Sequence, residues 1–572
     1  MLQPYPRCSV ATRGDGWLIL FRIIVMAAIA SWAAGCASLP ANVSRPVSRA
    51  FASPQETPLG RLLQQKREQA SARSDSGFRL LDSVDMALTG RMALIEAAQR
   101  TLDLQYYAIH ADSSTEQLLE RIRAAAARGV RVRILLDDFN SVGADAQVLR
   151  LAFLSNVELR LYNPLPGSRR SLVGRIFTSL HDVGRIQKRM HNKLFIADNA
   201  WGIAGGRNLG DAYFGRGEES NFVDLDVLAA GRIVRDMSDS FDSYWNNELA
   251  YPVETLLSRQ DLDLLRTPMD ASDRKDVPQA PAATQVPLPV TAATSVLPDV
   301  TATSANAGVL DLRQVALTWA PGTLMADKPG KVGPDDDEVS AGDTLIDGLL
   351  ALMTQARSDI LIVSPYFVPG QQMMKTFAQL RQRGVRIRVL TNSLASNDAP
   401  AAHAGYARHR KQLLGSGIEL YEMRAEQDGS AGGLGSGTGA RGPQTAGLFG
   451  SGGGAGGSKR ATGRASLHSK AVIIDAQLSV IGSMNLDLRS QLKNSEVALV
   501  IRSTPLAREA IRIVENNLSK AAYRLEWSSG GNLHWRAPPG APFADASSEP
   551  EASARLKLLV NILGPLAPDE ML

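Results

Sequence analysis

Two stretches of this chain carry the same order of apolar and polar positions. Ala93-Leu94-Ile95-Glu96-Ala97-Ala98 has helical spacing and leads into the strand-like run Leu102-Asp103-Leu104-Gln105-Tyr106-Tyr107. The passage recurs as Ala351-Leu352-Met353-Thr354-Gln355-Ala356 followed by Ile360-Leu361-Ile362-Val363-Ser364-Pro365-Tyr366. Arg128-Gly129-Val130-Arg131-Val132-Arg133-Ile134-Leu135 is then matched by Arg383-Gly384-Val385-Arg386-Ile387-Arg388-Val389-Leu390, with the Gly where a helix C-cap precedes a strand. Val157-Glu158-Leu159 and Ile418-Glu419-Leu420 extend the match. Helices alternating with strands predict an α/β sheet in each half. Two like halves of this kind are expected to pack face to face, with one site at their junction.

Breaks in the pattern divide the rest. Residues 36–76 read as a polar connector holding a short charged helix candidate from Leu59 to Ala72, and the first half spans 77–266. Residues 267–310 turn to Pro, Ala, Thr and Val without a period, as a linker does. The second half spans 311–522 and is interrupted at 429–464, where 15 of 36 residues are Gly. Such a segment does not repay its ordering entropy and is expected to be a flexible loop. In the tail, 523–572, the run Leu556–Leu563 is too short to assign as strand or helix.

The first residues read as an address. Arg7, Arg13 and Arg22 accompany an apolar run from Ile23 to Ala34, followed by Gly35-Cys36. Ala33-Ala34-Gly35-Cys36 resembles the lipobox of bacterial lipoproteins, which predicts a signal peptide over 1–35 and a lipidated Cys36. The chain would then be tethered in the bacterial cell envelope, facing the periplasm. The alternatives are an uncleaved anchor from Trp17 to Ala34, or a cytosolic protein with a misassigned start. Cys8 and Cys36 are the only cysteines, which excludes a disulfide scaffold. Lys+Arg 62 against Asp+Glu 58 gives a net +4 over 572 residues, weak for a dedicated nucleic-acid binder.

Each half also contains one chemical constellation. Met190-His191-Asn192-Lys193-Leu194-Phe195-Ile196-Ala197-Asp198 is followed by Gly205-Gly206-Arg207-Asn208. Leu467-His468-Ser469-Lys470-Ala471-Val472-Ile473-Ile474-Asp475 is followed by Gly482-Ser483-Met484-Asn485. In both, Lys lies at +2, Asp at +7, Gly at +14 and Asn at +17 from the His. On a strand, His and Lys of equal parity leave the same face. The chain has seven histidines, so two with identical downstream spacing in aligned halves are not a coincidence of composition.

HxKxxxxD followed by GxxN, twice, resembles the signature of the phospholipase D superfamily, over nearly all of Gly77 to Ala522. Finer features resemble the bacterial cardiolipin synthases of the type lacking paired N-terminal transmembrane helices: Leu102–Tyr107, Gly205–Asn208 with Asp211, and Ser364-Pro365-Tyr366-Phe367-Val368-Pro369-Gly370. Asn485–Ser490 with Asn494 and Glu496 belongs to the same set, with Leu488 replacing a common Pro and Gly206 replacing the usual Ser that Ser483 keeps. The resemblance implies two homologous phospholipase D-like α/β sandwich domains, packed as a pseudo-twofold pair with the active site at their interface.

It also implies a mechanism that suits these side chains. A neutral imidazole is an uncharged nucleophile towards an anionic phosphodiester, and a protonated one is a general acid. His191 is expected to form the phosphohistidine and His468 to protonate the departing alcohol. Lys193 and Lys470 would neutralise the nonbridging oxygens, while Asn208, Asn485 and Ser483 would bind them. Asp224 and Glu496, downstream of the two histidines, are favoured as the acids that orient them. Asp198 and Asp475 close the motifs and are either part of the catalytic set or structural, since both end strands. No metal and no cofactor are required, as the lysines supply positive charge.

The expected activity is transfer of a phosphatidyl group from phosphatidylglycerol, or a related phospholipid such as phosphatidylethanolamine, to a second lipid at a membrane surface. Hydrolysis to phosphatidic acid is the rival activity. A nuclease is disfavoured by the weak net charge, and a non-catalytic lipid- or polyanion-binding module by the completeness of both motifs. Asp398, His403, Tyr406 and Arg408 are secondary candidates for a headgroup contact or an exposed helix face. Tyr107, Tyr366 and Phe367 would line the pocket mouth or pack in the core.

Overall fold

The structure, a computed structural model, describes residues 39–167, 172–180, 182–217, 220–257, 309–333, 344–426, 464–528 and 531–564. The signal peptide, Cys36, nearly all of the 267–310 linker and the Gly-rich segment lie outside the described residues.

The first half supplies β1 (Ser76–Leu81), β2 (Thr101–Tyr106), β3 (Arg131–Asp137), β4 (Val157–Tyr162), β5 (Arg189–Met190), β6 (Leu194–Ala197), β7 (Trp201–Gly205), β8 (Asn221–Val223), β9 (Asp226–Gly231) and β10 (Ala250–Pro252). The second supplies β11 (Thr318–Trp319), β12 (Gly322–Ala326), β13 (Asp359–Val363), β14 (Arg386–Asn392), β15 (Glu419–Met423), β16 (Ala465–Leu467), β17 (Ala471–Ile474), β18 (Leu478–Gly482), β19 (Asn494–Ser495), β20 (Val497–Arg502), β21 (Ala522–Trp527) and β22 (Leu533–Arg536).

Two nine-stranded sheets result, ordered β10-β4-β3-β2-β6-β7-β9-β1-β11 and β12-β20-β18-β17-β13-β14-β15-β21-β22. Read from opposite ends the orders coincide: parallel β2-β3-β4 corresponds to β13-β14-β15, and antiparallel β6-β7-β9 to β17-β18-β20. The mixed α/β class and the internal repeat expected from the sequence are both present.

The inward faces meet in one apolar core. It joins Leu194, Ile196, Val227 and Ala229 of the first sheet to Leu361, Val363, Ile473 and Leu499 of the second. The helices Arg232–Trp245 and Thr504–Ala521 add Met237, Phe241, Leu506 and Val514 to it. At roughly 1.5–3 kcal/mol for each fully buried large side chain, this junction resembles a domain interior, not a mobile contact between domains.

Segments at the margins of the two expected halves are built into the sheets and helices. β11, inside the expected second half, pairs with β1 of the first sheet. β22, in the expected tail, extends the second sheet beside β21 and buries Trp535. The undecided run Leu556–Leu563 lies in a helix, Ala554–Leu563, capped by Ser553. The connector is also ordered from residue 39: its helix Pro58–Gln69 is capped by Thr57, and Arg131 Nη2 donates to the carbonyl of Arg49 at 2.6 Å.

Candidate active site

Four short strands outside the large sheets build the site. β16 runs parallel to β8, pairing Leu467 with Val223, and β5 runs parallel to β19, pairing Met190 with Ser495. Each pair joins the two halves. Because His468 follows β16 and Asp224 follows β8, the first pairing sets that histidine beside that acid. The second does the same for His191 and Glu496. His468 Nδ1 lies 2.6 Å from Asp224 Oδ2, and His191 Nδ1 lies 2.9 Å from Glu496 Oε2. Backbone bonds lock the arrangement: His191 N donates to Ser495 O at 2.9 Å and His468 N to Val223 O at 2.8 Å. Sequence order suggests that each acid serves the histidine of its own half; the structure crosses them, because the strands pair between halves.

With Nδ1–H donated to a carboxylate, each imidazole keeps Nε2 free of partners among the described residues. His191 and His468 are 9% and 6% exposed, so a ligand reaching either displaces nearly all water. Burial, aided by the neighbouring lysines, pushes the His191 imidazolium down to about 4 and that of His468 to about 3, the carboxylates opposing but not reversing this. Both rings are therefore neutral at pH 7. Glu496 and Asp224 are held below the usual carboxylate range: burial would raise them, but the facing histidines and lysines outweigh it.

Lys193 and Lys470 are buried with no carboxylate in ion-pair contact among the described residues. Each folds back, Lys193 Nζ donating to His191 O at 2.7 Å and Lys470 Nζ to His468 O at 2.5 Å. Desolvation pushes Lys193 down to about 7 and Lys470 to about 8. The segments 191–193 and 468–470 are connections between strands and not strand themselves, so same-face parity does not place these lysines; the back-folded bond does.

The remaining candidates separate. Asn208 and Asn485 come to the site after the β7 and β18 turns. Asn208 Nδ2 donates to Tyr213 Oη at 2.9 Å, and Asn485 Oδ1 has no hydrogen-bond partner among the described residues. Ser483 does not present a hydroxyl for phosphate: its Oγ donates to Glu496 Oε2 at 2.6 Å, so it holds the orienting acid. Gly206 stands at that place in the first half because a Cβ there would lie 2.4 Å from Asp224 Oδ1.

Asp198 and Asp475 are not in the site. They sit at the far ends of β6 and β17, seven residues or roughly 23 Å of extended chain from the histidines. At φ 52° each opens the tight turn into the next strand. Asp198 accepts N–H groups of Gln99, Arg100 and Thr101, and Asp475 those of Arg357, Ser358 and Asp359. The +7 aspartate thus fastens the start of the neighbouring central strand, β2 or β13, and a catalytic place for it is corrected.

Of the secondary candidates, His403 and Tyr406 are buried away from solvent. Arg410 Nη2 donates to His403 Nε2 at 2.9 Å and pairs with Glu422 at 2.8 Å. Arg408 Nη1 donates to Gly564 O at 2.8 Å, tying down the C-terminal helix. Phe367 is core, whereas Tyr107 meets the His191 ring edge-on at 5.2 Å. Sequence reasoning overlooked Tyr213 and Phe222, whose rings lie 5.3 and 5.0 Å from His468. It also assigned no role to Ser490, whose Oγ donates to Glu496 Oε1 at 2.9 Å. Extending the repeat would have reached two of them, since Tyr213 and Ser490 both lie at +22 from their histidine.

Fold and site together define a duplicated α/β protein with one paired-histidine centre shared by its halves. The family model described as "Cardiolipin synthase, PLD-like domain" matches residues 92–245, 349–434 and 449–518, and the chain belongs to that family. Cardiolipin synthase C of Escherichia coli is 36% identical over 80% of this chain and 88% of its own length. Cardiolipin synthase A of Yersinia pseudotuberculosis is 21% identical over 82% of this chain and 74% of its own. The crystal structure of a phosphatidylserine synthase from Haemophilus influenzae overlays with TM-score 0.48 and 14% identity, covering 81% of this chain and 92% of that one.

Proposed function

We propose that this chain is a phosphatidyltransferase of the cardiolipin synthase type, passing a phosphatidyl group from one phospholipid to the hydroxyl of another through a phosphohistidine. The crossed pairs His191–Glu496 and His468–Asp224 around two buried lysines carry the reading. His191 Nε2 attacks phosphorus as the bond to the headgroup oxygen breaks, and His468 gives that oxygen its proton. The second lipid's hydroxyl then loses its proton to His468 and attacks phosphorus, and the P–N bond breaks to return neutral His191. A phosphodiester entering this water-poor site brings negative charge, which raises the affinity of His468 for the proton it must deliver. The same exclusion of water favours an alcohol acceptor over hydrolysis.

A lipid surface fits the approach to the site. The chain leading into β5 leaves Val173 and Leu180 63% and 53% exposed, with Val183 close behind, and Leu492 is exposed just before β19. Arg489 and Lys493 flank Leu492. Apolar side chains beside basic ones, on segments that enter the catalytic strands, suit an anionic bilayer. Among the described residues no helix is long and apolar enough to cross a membrane. Tethering through Cys36 in the cell envelope is part of the same proposal.

Purified protein given labelled phosphatidylglycerol, with and without phosphatidylethanolamine, is expected to form cardiolipin, and His191→Ala and His468→Ala to abolish it. Phosphatidic acid as sole product would make the protein a hydrolase.

A further inference from the structure

The cluster Asp398, His403, Tyr406 and Arg408 splits in the fold, and the residue left over points to a specific role. Asp398 lies just before the helix Pro400–Gly415 and within the electrostatic reach of Lys470, and Tyr366 Oη donates to its Oδ1 at 2.7 Å. The two come from loops after β13 and β14, at the carboxyl ends of neighbouring parallel strands. Asn392 fixes those loops against the catalytic segment. Its Nδ2 donates to Leu467 O at 2.9 Å and to Pro365 O at 3.4 Å, while its Oδ1 accepts from Leu467 N at 2.8 Å. One buried amide thus sets the residues preceding His468 and Tyr366 side by side.

Three further observations give the pair a ligand. Asp398 and Tyr366 are half-buried and open to a bound molecule, unlike His403 and Tyr406, which are sealed. Asp398 has no basic side chain in ion-pair contact among the described residues, although it lies within the field of Lys470 and Tyr213. The acid on the opposite side of the centre, Asp137, is already consumed: it accepts from Phe139 N at 2.9 Å and Met190 N at 2.8 Å and pairs with Arg189 at 3.3 Å. Asp398, by contrast, accepts from no side chain other than Tyr366 among the described residues.

In-line displacement puts the leaving oxygen opposite the attacking His191, hence beside His468. We propose that Asp398, braced by Tyr366, accepts a hydrogen bond from the far end of the exchanged alcohol, its terminal hydroxyl or ammonium, and so selects the headgroup that leaves. The assignment rests on the transfer reaction proposed above. A site built to pair a donor rejects an analogue lacking it, because the acceptor is then buried unpaired.

The test compares kcat/KM for release of the headgroup from phosphatidylglycerol, phosphatidylethanolamine and phosphatidylethanol, the last having no terminal donor. Wild type, Asp398→Ala, Asp398→Asn and Tyr366→Phe are measured in mixed micelles. Asp398→Ala is expected to lower the preference for a polar headgroup over phosphatidylethanol about tenfold or more. Asp398→Asn, uncharged but still an acceptor, is expected to keep the preference for phosphatidylglycerol over phosphatidylethanol and to lose most of any preference for phosphatidylethanolamine. An equal fall on all three donors, or no fall, overturns the subsite. Failure of the wild type to release any headgroup would instead sink the reaction itself.

Discussion

His191 Nδ1 lies 2.9 Å from Glu496 Oε2 although 305 positions separate the two residues. The acid that orients the first histidine belongs to the second half, and Asp224 makes the reciprocal crossing. Neither motif histidine is paired with an acid of its own half, so the site exists only when both sheets are assembled.

The crossing assigns each acid to a chemical step. With a nitrophenyl phosphodiester, whose leaving group needs no proton, His468→Ala and Asp224→Asn are expected to release a burst near one nitrophenol per protein and then stall. His191→Ala gives no burst, and Glu496→Gln a burst slowed at least 100-fold. A stopped-flow record in which Asp224→Asn rather than Glu496→Gln slows the burst would reverse the pairing of acids and steps.

Asp198 predicts a stability phenotype, not a chemical one. Replacing it with Ala leaves three N–H groups without their acceptor, a loss of about 2–4 kcal/mol visible in denaturant unfolding. Asp198→Asn keeps an acceptor and tolerates the positive φ, so it costs less. For either variant KM of the folded fraction stays within about twofold of wild type; a large KM change would return Asp198 to the site.

The lysines predict the alkaline limb of the pH profile. Burial sets Lys193 at about 7 and Lys470 at about 8, below the ordinary ammonium range, so each loses its charge as pH rises through those values. kcat/KM, which reports the free enzyme, should therefore fall more steeply above about pH 7–8 than below it. Lys193→Arg holds its charge throughout and moves the limb upward in whatever activity it retains. A limb that stays in place would mean another group titrates.

The surface before β5 predicts interfacial behaviour. Val173→Asp with Val183→Asp, both exposed, is expected to reduce activity on anionic vesicles about tenfold while sparing a short-chain phospholipid below its critical micelle concentration. Equal activity of wild type and variant in a vesicle sedimentation and turnover assay would remove this surface from membrane contact.

Much of this was legible in the chain before folding. The twofold repeat of helix and strand patterns specified the class of sheet, and the spacing from His to Lys, Gly and Asn singled out both motifs, because local periodicity and turn chemistry are written residue by residue. What the tertiary structure alone decided are relations across the junction: which acid faces which histidine, that Ser483 serves Glu496, that Asp475 serves a turn, and that Asp398 parts company with His403. β5 with β19 and β8 with β16 pair between halves, and such pairing depends on how two apolar faces dock, which no single segment encodes.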